Sequence, residues 1–93
     1  MTKADIVAKI SEAKGVEKAE VQTVVEAFMQ EVKNALEEGN NVYLRGFGSF
    51  IIKHRAEKTG RNISKKTTIK IPAHNIPAFK PSKVFVEAVK EGK

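Results

Sequence analysis

Lys53, Arg55, Lys58, Arg61, Lys65, Lys66 and Lys70 fall within one stretch ending at Phe79, opposed by a single acid, Glu57. Cationic side chains at this density make or break no bond by themselves. They neutralise a polyanion, and a phosphate backbone is the one that Lys and Arg match by charge and hydrogen bonding. Catalysis has little to work with elsewhere. Asp5 is the only Asp, there is no Cys, the Glu residues other than Glu57 fall on helical faces, and no Ser–His–acid set or carboxylate pair converges. The reading is therefore not an enzyme, with no cofactor. His54 and His74 are equidistant from position 64 and would face each other across a ribbon turning there, as a pH-sensitive pair or two ligands. No third ligand accompanies them, so no metal is assigned.

Apart from Ile63, the middle of this stretch has almost nothing to bury. It has to project, and the element that allows this is a long two-stranded ribbon. KHRAEK (53–58) runs outward, TTIKIPAHNIPAF (67–79) returns, and TGRNISKK (59–66) lies between them. One strand runs out from Ser49 with Phe50, Ile52, His54 and Ala56 on one face and Ile51, Lys53, Arg55 and Glu57 on the other. Pro72 and Pro77 fit where each strand has a free edge, or at a bulge. An isolated ribbon is marginal in water, so its outer part is expected to be mobile until bound.

The remaining elements form the base. Thr2 and Asp5 resemble a capping box ahead of a helix over 3–14, which Gly15 stops. Val21, Val24, Val25, Phe28, Met29, Val32 and Leu36 make one apolar stripe along a second helix that ends at Gly39. Val42–Leu44 is a short strand, and Arg45-Gly46-Phe47-Gly48 a tight hairpin turn. Gly46 and Gly48 are not a dinucleotide loop, because position 51 is Ile and a strand follows. Ser82 caps a last short helix. The fold class is α+β. One domain spans 1–93, with a helical base and first strand over 1–44, sheet and basic arm over 45–80, and the C-terminal helix over 81–93.

Charge follows this division. Residues 1–44 hold 5 Lys and 8 acids, whereas 45–83 hold 10 Lys or Arg and 1 acid. A positive excess confined to one segment is the footprint of a nucleic-acid partner. If roughly 25 residues project, about 65 remain for the body, a marginal size that oligomerisation commonly remedies. Five Phe crowd so small a body, which points to a core shared between two subunits. Its residues are Phe28, Val32, Leu36, Leu44, Phe47, Phe50 and Phe79. No apolar run approaches a membrane span, and the N-terminus does not read as a signal peptide. The alternative polyanion is RNA, as for a ribosome-associated basic module. RNA recognition favours exposed aromatics for base stacking, and the arm has none.

Taken together, RGFGSF at the turn, TGRN in the arm and the run Pro77-x-Phe79-Lys80-x-x-Lys83 resemble the bacterial HU and integration host factor family of DNA-bending, histone-like proteins, HU most of all. The resemblance covers the whole chain. It implies an intertwined dimer, of identical subunits or of paralogues, with a helical base, a small antiparallel sheet and two long arms that enter the minor groove and bend the duplex. The expected place is the cytoplasm, on the nucleoid. By position it assigns arm contacts to Lys53, Arg55, Lys58, Arg61, Asn62, Lys70 and Asn75. Body contacts fall on Lys3, the backbone of Gly46 and Gly48, Ser49, Lys80 and Lys83. Ser82 adds N–H groups at a helix N-terminus, and Arg45, Lys65 and Lys66 join on charge alone. The family usually has a proline after GRN that wedges between base pairs. Ile63 stands there, and isoleucine is also a wedge side chain. Ser64-Lys65-Lys66 replaces the usual tip glycine, and Val86 occupies a position that is often basic.

Overall fold

The computed structural model describes residues 1–62 and 67–92. The fold is α+β, and the chain divides into two compact units, Met1–Ala35 and Leu36–Lys93.

The first unit holds α1 (Lys3–Lys14) and most of α2 (Lys18–Glu37). The capping box is formed. The Asp5 N–H donates to Thr2 Oγ1 at 3.3 Å, and the Thr2 N–H donates to the Asp5 carboxylate at 2.8 Å, so two donors that the helix cannot satisfy internally are paired. Gly15 closes α1 at φ +66, its N–H donating to the Ser11 carbonyl. Val7 and Val21 are the buried apolar side chains. The rest of the α2 stripe has the expected spacing but is only partly covered. Val24 is 67 % exposed and Phe28 45 %, while Val32 and Leu36 are half-buried.

The second unit contains β1 (Val42–Leu44), β2 (Gly48–Arg55), β3 (Lys58–Asn62), β4 (Thr67–Ile71), β5 (His74–Pro81) and α3 (Lys83–Glu91). An antiparallel sheet has the order β1-β2-β5, and β3 pairs with β4 in a two-stranded ladder. The β1–β2 turn closes with the Phe47 N–H on the Leu44 carbonyl at 3.0 Å. Gly46 sits at its third position with φ +83, the value a type II turn demands there. Phe50 lies across from Phe79, and Phe47 and Phe85 join them, with ring centroids 5.0–5.5 Å apart along the chain Phe50–Phe79–Phe47–Phe85. Such ring pairs contribute about 0.5–1.5 kcal/mol each beyond their burial. Ser82 ties α3 to this cluster. Its Oγ accepts from the Phe85 N–H at 3.2 Å, and its own N–H donates to the Phe47 carbonyl at 3.0 Å.

The outgoing strand is not continuous, as the sequence suggested. It breaks at Ala56-Glu57, and the return strand breaks opposite, at Pro72-Ala73. Pro72 has no N–H to give a ladder. The break is not a bulge. Pairing runs from Gly48↔Pro81 to Arg55↔His74, skips two residues on each strand, and resumes at Lys58↔Ile71 through Asn62↔Thr67 with no slip. Pro77, paired with Ile52, is on the sheet's edge strand, where proline is tolerated. Among the described residues no helix is long and apolar enough to cross a membrane.

Candidate nucleic-acid interface

Strand alternation sorts the sheet into two chemistries. Phe50 and Phe79 share one face. The other carries Ser49, Lys53 and Arg55 from β2, with Lys80 directly across from Ser49. Because the side-chain period is two, the strands that stack the phenylalanines together on one face place the cations on the other. Lys53, Arg55 and Lys80 are exposed accordingly.

At the base of this face, a hollow of about 310 Å³ is lined by Tyr43, Leu44, Arg45, Gly46, Gly48, Ser49, Lys80, Pro81 and Ser82. It brings together six expected body residues: Arg45, Gly46, Gly48, Ser49, Lys80 and Ser82. Gly48 is needed because a Cβ there would lie 2.6 Å from the Lys80 carbonyl oxygen and 2.7 Å from the Phe79 ring. Lys83 is exposed in the first turn of α3. One expectation changes. The Ser82 N–H is engaged by Phe47 and the Phe85 N–H by Ser82 Oγ, so the donors left to a phosphate at this helix start are those of Lys83 and Val84.

In the arm, Lys58 is exposed and pairs with Ile71. Lys70 lies in register with Thr59, Arg61 with Thr68 and Asn62 with Thr67. Ile63, Lys65 and Lys66 lie outside the described residues. Arg55, Ala56, Lys58, Ile71, His74 and Ile76 line a second hollow of about 330 Å³ at the break. Asn75 is partly committed, since its Oδ1 meets His54 Nδ1 at 2.9 Å.

The facing histidine pair is not formed. His54 lies across from Asn75, and His74 from Arg55, with His74 Nδ1 on the Pro72 carbonyl at 3.0 Å. The sequence centred the ribbon on position 64, whereas the pairing centres it between 64 and 65, and that one-residue difference in partners puts the two rings on opposite faces. Among the described residues no group of three His, Cys, Asp or Glu could hold a metal.

Lys3 belongs to the first unit and is not a free cation. Its Nζ lies 2.8 Å from Glu26 Oε2, to which Gln22 also donates at 3.1 Å. The hydrogen bond from Lys3, then that from Gln22, holds the Glu26 carboxyl below its usual range. Sequence reasoning missed this partner, which the i, i+4 spacing of Gln22 and Glu26 only half signals. It also passed over Asn41, whose amide contacts both Tyr43 and the backbone of Ile52.

Comparison with known proteins agrees with this arrangement. The family model described as "Bacterial DNA-binding protein" matches residues 1–90. The DNA-binding protein HU of Thermus thermophilus is 42 % identical over 91 residues, covering 98 % of this chain and 94 % of that protein. The HU of Geobacillus stearothermophilus is 37 % identical over 90 residues, covering 97 % and 100 %. An Anabaena HU–DNA cocrystal structure is similar with a TM-score of 0.92 at 34 % identity, covering 98 % of this chain and 99 % of that one. A family match over residues 1–90, with relatives this similar over nearly their whole length, assigns the sheet and its basic arm together: the chain belongs to the bacterial DNA-binding protein family, which includes HU.

Proposed function

We propose that the protein binds duplex DNA without sequence specificity and bends it, as an architectural, histone-like protein of the nucleoid. The observation that carries this is the division of one sheet. One face gathers Phe50 and Phe79 into a ring cluster with Phe47 and Phe85, while the Ser49, Lys53, Arg55 and Lys80 face leads into an arm whose sequence is basic and nearly free of acids. The family is one of DNA-binding proteins, not of enzymes.

The mechanism follows from the groups present. Lys53, Arg55, Lys58, Lys70, Lys80 and Lys83 neutralise phosphates and release counterions, which gives affinity without sequence reading. Arg61 and Asn62, at the outermost described pairs, reach minor-groove acceptors whose pattern is degenerate, so selection acts through shape and deformability. Ile63 is the candidate wedge. It unstacks a base step and opens a bend that brings more phosphate against the protein.

A second subunit, identical or a paralogue, completes the reading. The open α2 stripe is the surface it would cover, and two arms would then clamp one duplex. The place of action is the cytoplasm, on the nucleoid. The test is a titration against duplex DNA and single-stranded RNA of matched length and salt. Preference for the duplex, with affinity falling steeply as salt rises, is expected. Preference for the RNA, or a flat salt dependence, overturns the proposal.

A further inference from the structure

The cationic face of the sheet also carries an exposed aromatic ring, that of Tyr43. Tyr43 lies directly across β1–β2 from Ser49, which lies across β2–β5 from Lys80. The three form one row, and Tyr43 lines the same hollow as Arg45 and Lys80. It is 72 % exposed, whereas its strand neighbours Val42 and Leu44 are half-buried. A tyrosine this open gains little from burial.

Its hydroxyl is held in place. Asn41 Oδ1 accepts from the Ile52 backbone N–H at 3.0 Å, and Asn41 Nδ2 donates to the Tyr43 hydroxyl at 3.1 Å. The backbone N–H can only donate, which fixes which end of the amide faces it. The other end is NH₂ and can only donate in turn, so the phenol oxygen acts as acceptor toward Asn41. The phenolic hydrogen is thereby turned away from Asn41 and left to donate outward. In a row with a hydroxyl and an ammonium group, beside Arg45, the acceptor that suits all of these donors is a phosphate oxygen.

We propose that Tyr43 is a nucleic-acid contact, donating its phenolic hydrogen to a backbone phosphate of the strand that Ser49 and Lys80 hold, and that Asn41 is its positioning residue. This rests on the DNA-binding reading above and adds a neutral donor to a surface otherwise described by charge.

The test measures duplex affinity against salt for the full chain and for Tyr43→Phe, Asn41→Asp and Lys80→Ala, each first shown to keep its thermal unfolding transition. Tyr43→Phe keeps the ring and loses the donor. It is expected to weaken binding on the order of threefold to tenfold. The slope of log K against log salt stays unchanged, because a neutral group displaces no counterion. Lys80→Ala reduces that slope by about one for each subunit that carries it. Asn41→Asp still accepts from Ile52 but now also accepts the phenolic hydrogen, so it weakens binding at least as much as Tyr43→Phe. The chain has one tyrosine, so ring-fluorinated tyrosine gives one fluorine resonance per identical subunit. Saturating duplex is expected to shift it in the parent protein and to shift it less in Asn41→Asp. Equal affinity of Tyr43→Phe and the parent at every salt, or a fluorine resonance unmoved by duplex, overturns the inference while leaving DNA binding intact. Failure of the parent itself to bind duplex overturns the functional reading and this inference with it.

Discussion

At the scale of single residues, the two turn glycines serve different ends. A methyl group at Gly46 would meet nothing within 4 Å, but the residue takes φ +83, so Gly46→Ala meets only backbone strain, about 1–2 kcal/mol. Gly48 adds a clash with a backbone carbonyl and a packed ring. Gly48→Ala is expected to cost about 3 kcal/mol or more, because neither neighbour can move freely. Denaturant unfolding of the two variants checks the order. Glu26 offers a test in pH. Its folded carboxyl titrates below the ordinary 4.5 because Lys3 and Gln22 hydrogen-bond its charged form. The stabilisation is therefore complete above that ordinary value and is lost as pH falls through the lowered folded one. Lys3→Ala should move the Glu26 titration upward, as followed by NMR of its carboxyl carbon; no movement would mean the ion pair is absent in solution. Residues whose partners lie a few positions away were legible in the sequence. Thr2–Asp5 and Ser82 act over three residues and were read correctly. Lys3–Glu26 joins two helices, and His54–Asn75 depends on strand register, and neither distance is written in local spacing.

At the scale of elements, both N-caps and the glycine stops follow from local chemistry, and the structure has them in place; the turn expected over 45–48 forms over 45–47, with Gly48 already in β2. Ser82→Ala removes one cap hydrogen bond and should cost about 1 kcal/mol, seen as a lowered thermal midpoint. A variant as stable as the parent would mean the Phe85 N–H finds another acceptor. The ribbon was legible in kind but not in detail. Alternation along 49–57 gave its faces, yet it could not set the pairing, because a polar ribbon with two solvent-facing sides specifies register weakly. Pro72 was read as tolerable at a free edge or at a bulge. Its effect is instead a two-residue interruption on both strands, which divides the arm into an inner ladder continuous with the sheet and an outer one.

At the scale of the whole molecule, Val24, Phe28 and Met29 on α2 form an apolar surface that a single chain leaves open. The crowding of Phe residues suggested a shared core, and the open stripe supplies a surface for it. Sedimentation should give a dimer at micromolar concentration, and a monomer with intact helices would contradict this. Bending belongs to this scale too. Ile63→Ala is expected to reduce end-to-end energy transfer on a doubly labelled duplex more than it reduces affinity, and equal bending would remove the wedge role. The unslipped pairing on both sides of the break also governs how long such an arm can be. One residue added to a single strand would mismatch every pair beyond it. One added to each strand would keep the pairs but invert the faces, exchanging the sides on which the outer cations stand. Only two residues added to each strand preserve both. Reach is thus quantised in increments of roughly 7 Å, close to the rise of two base pairs, and an arm of this design lengthens by whole steps along its target or loses its grip.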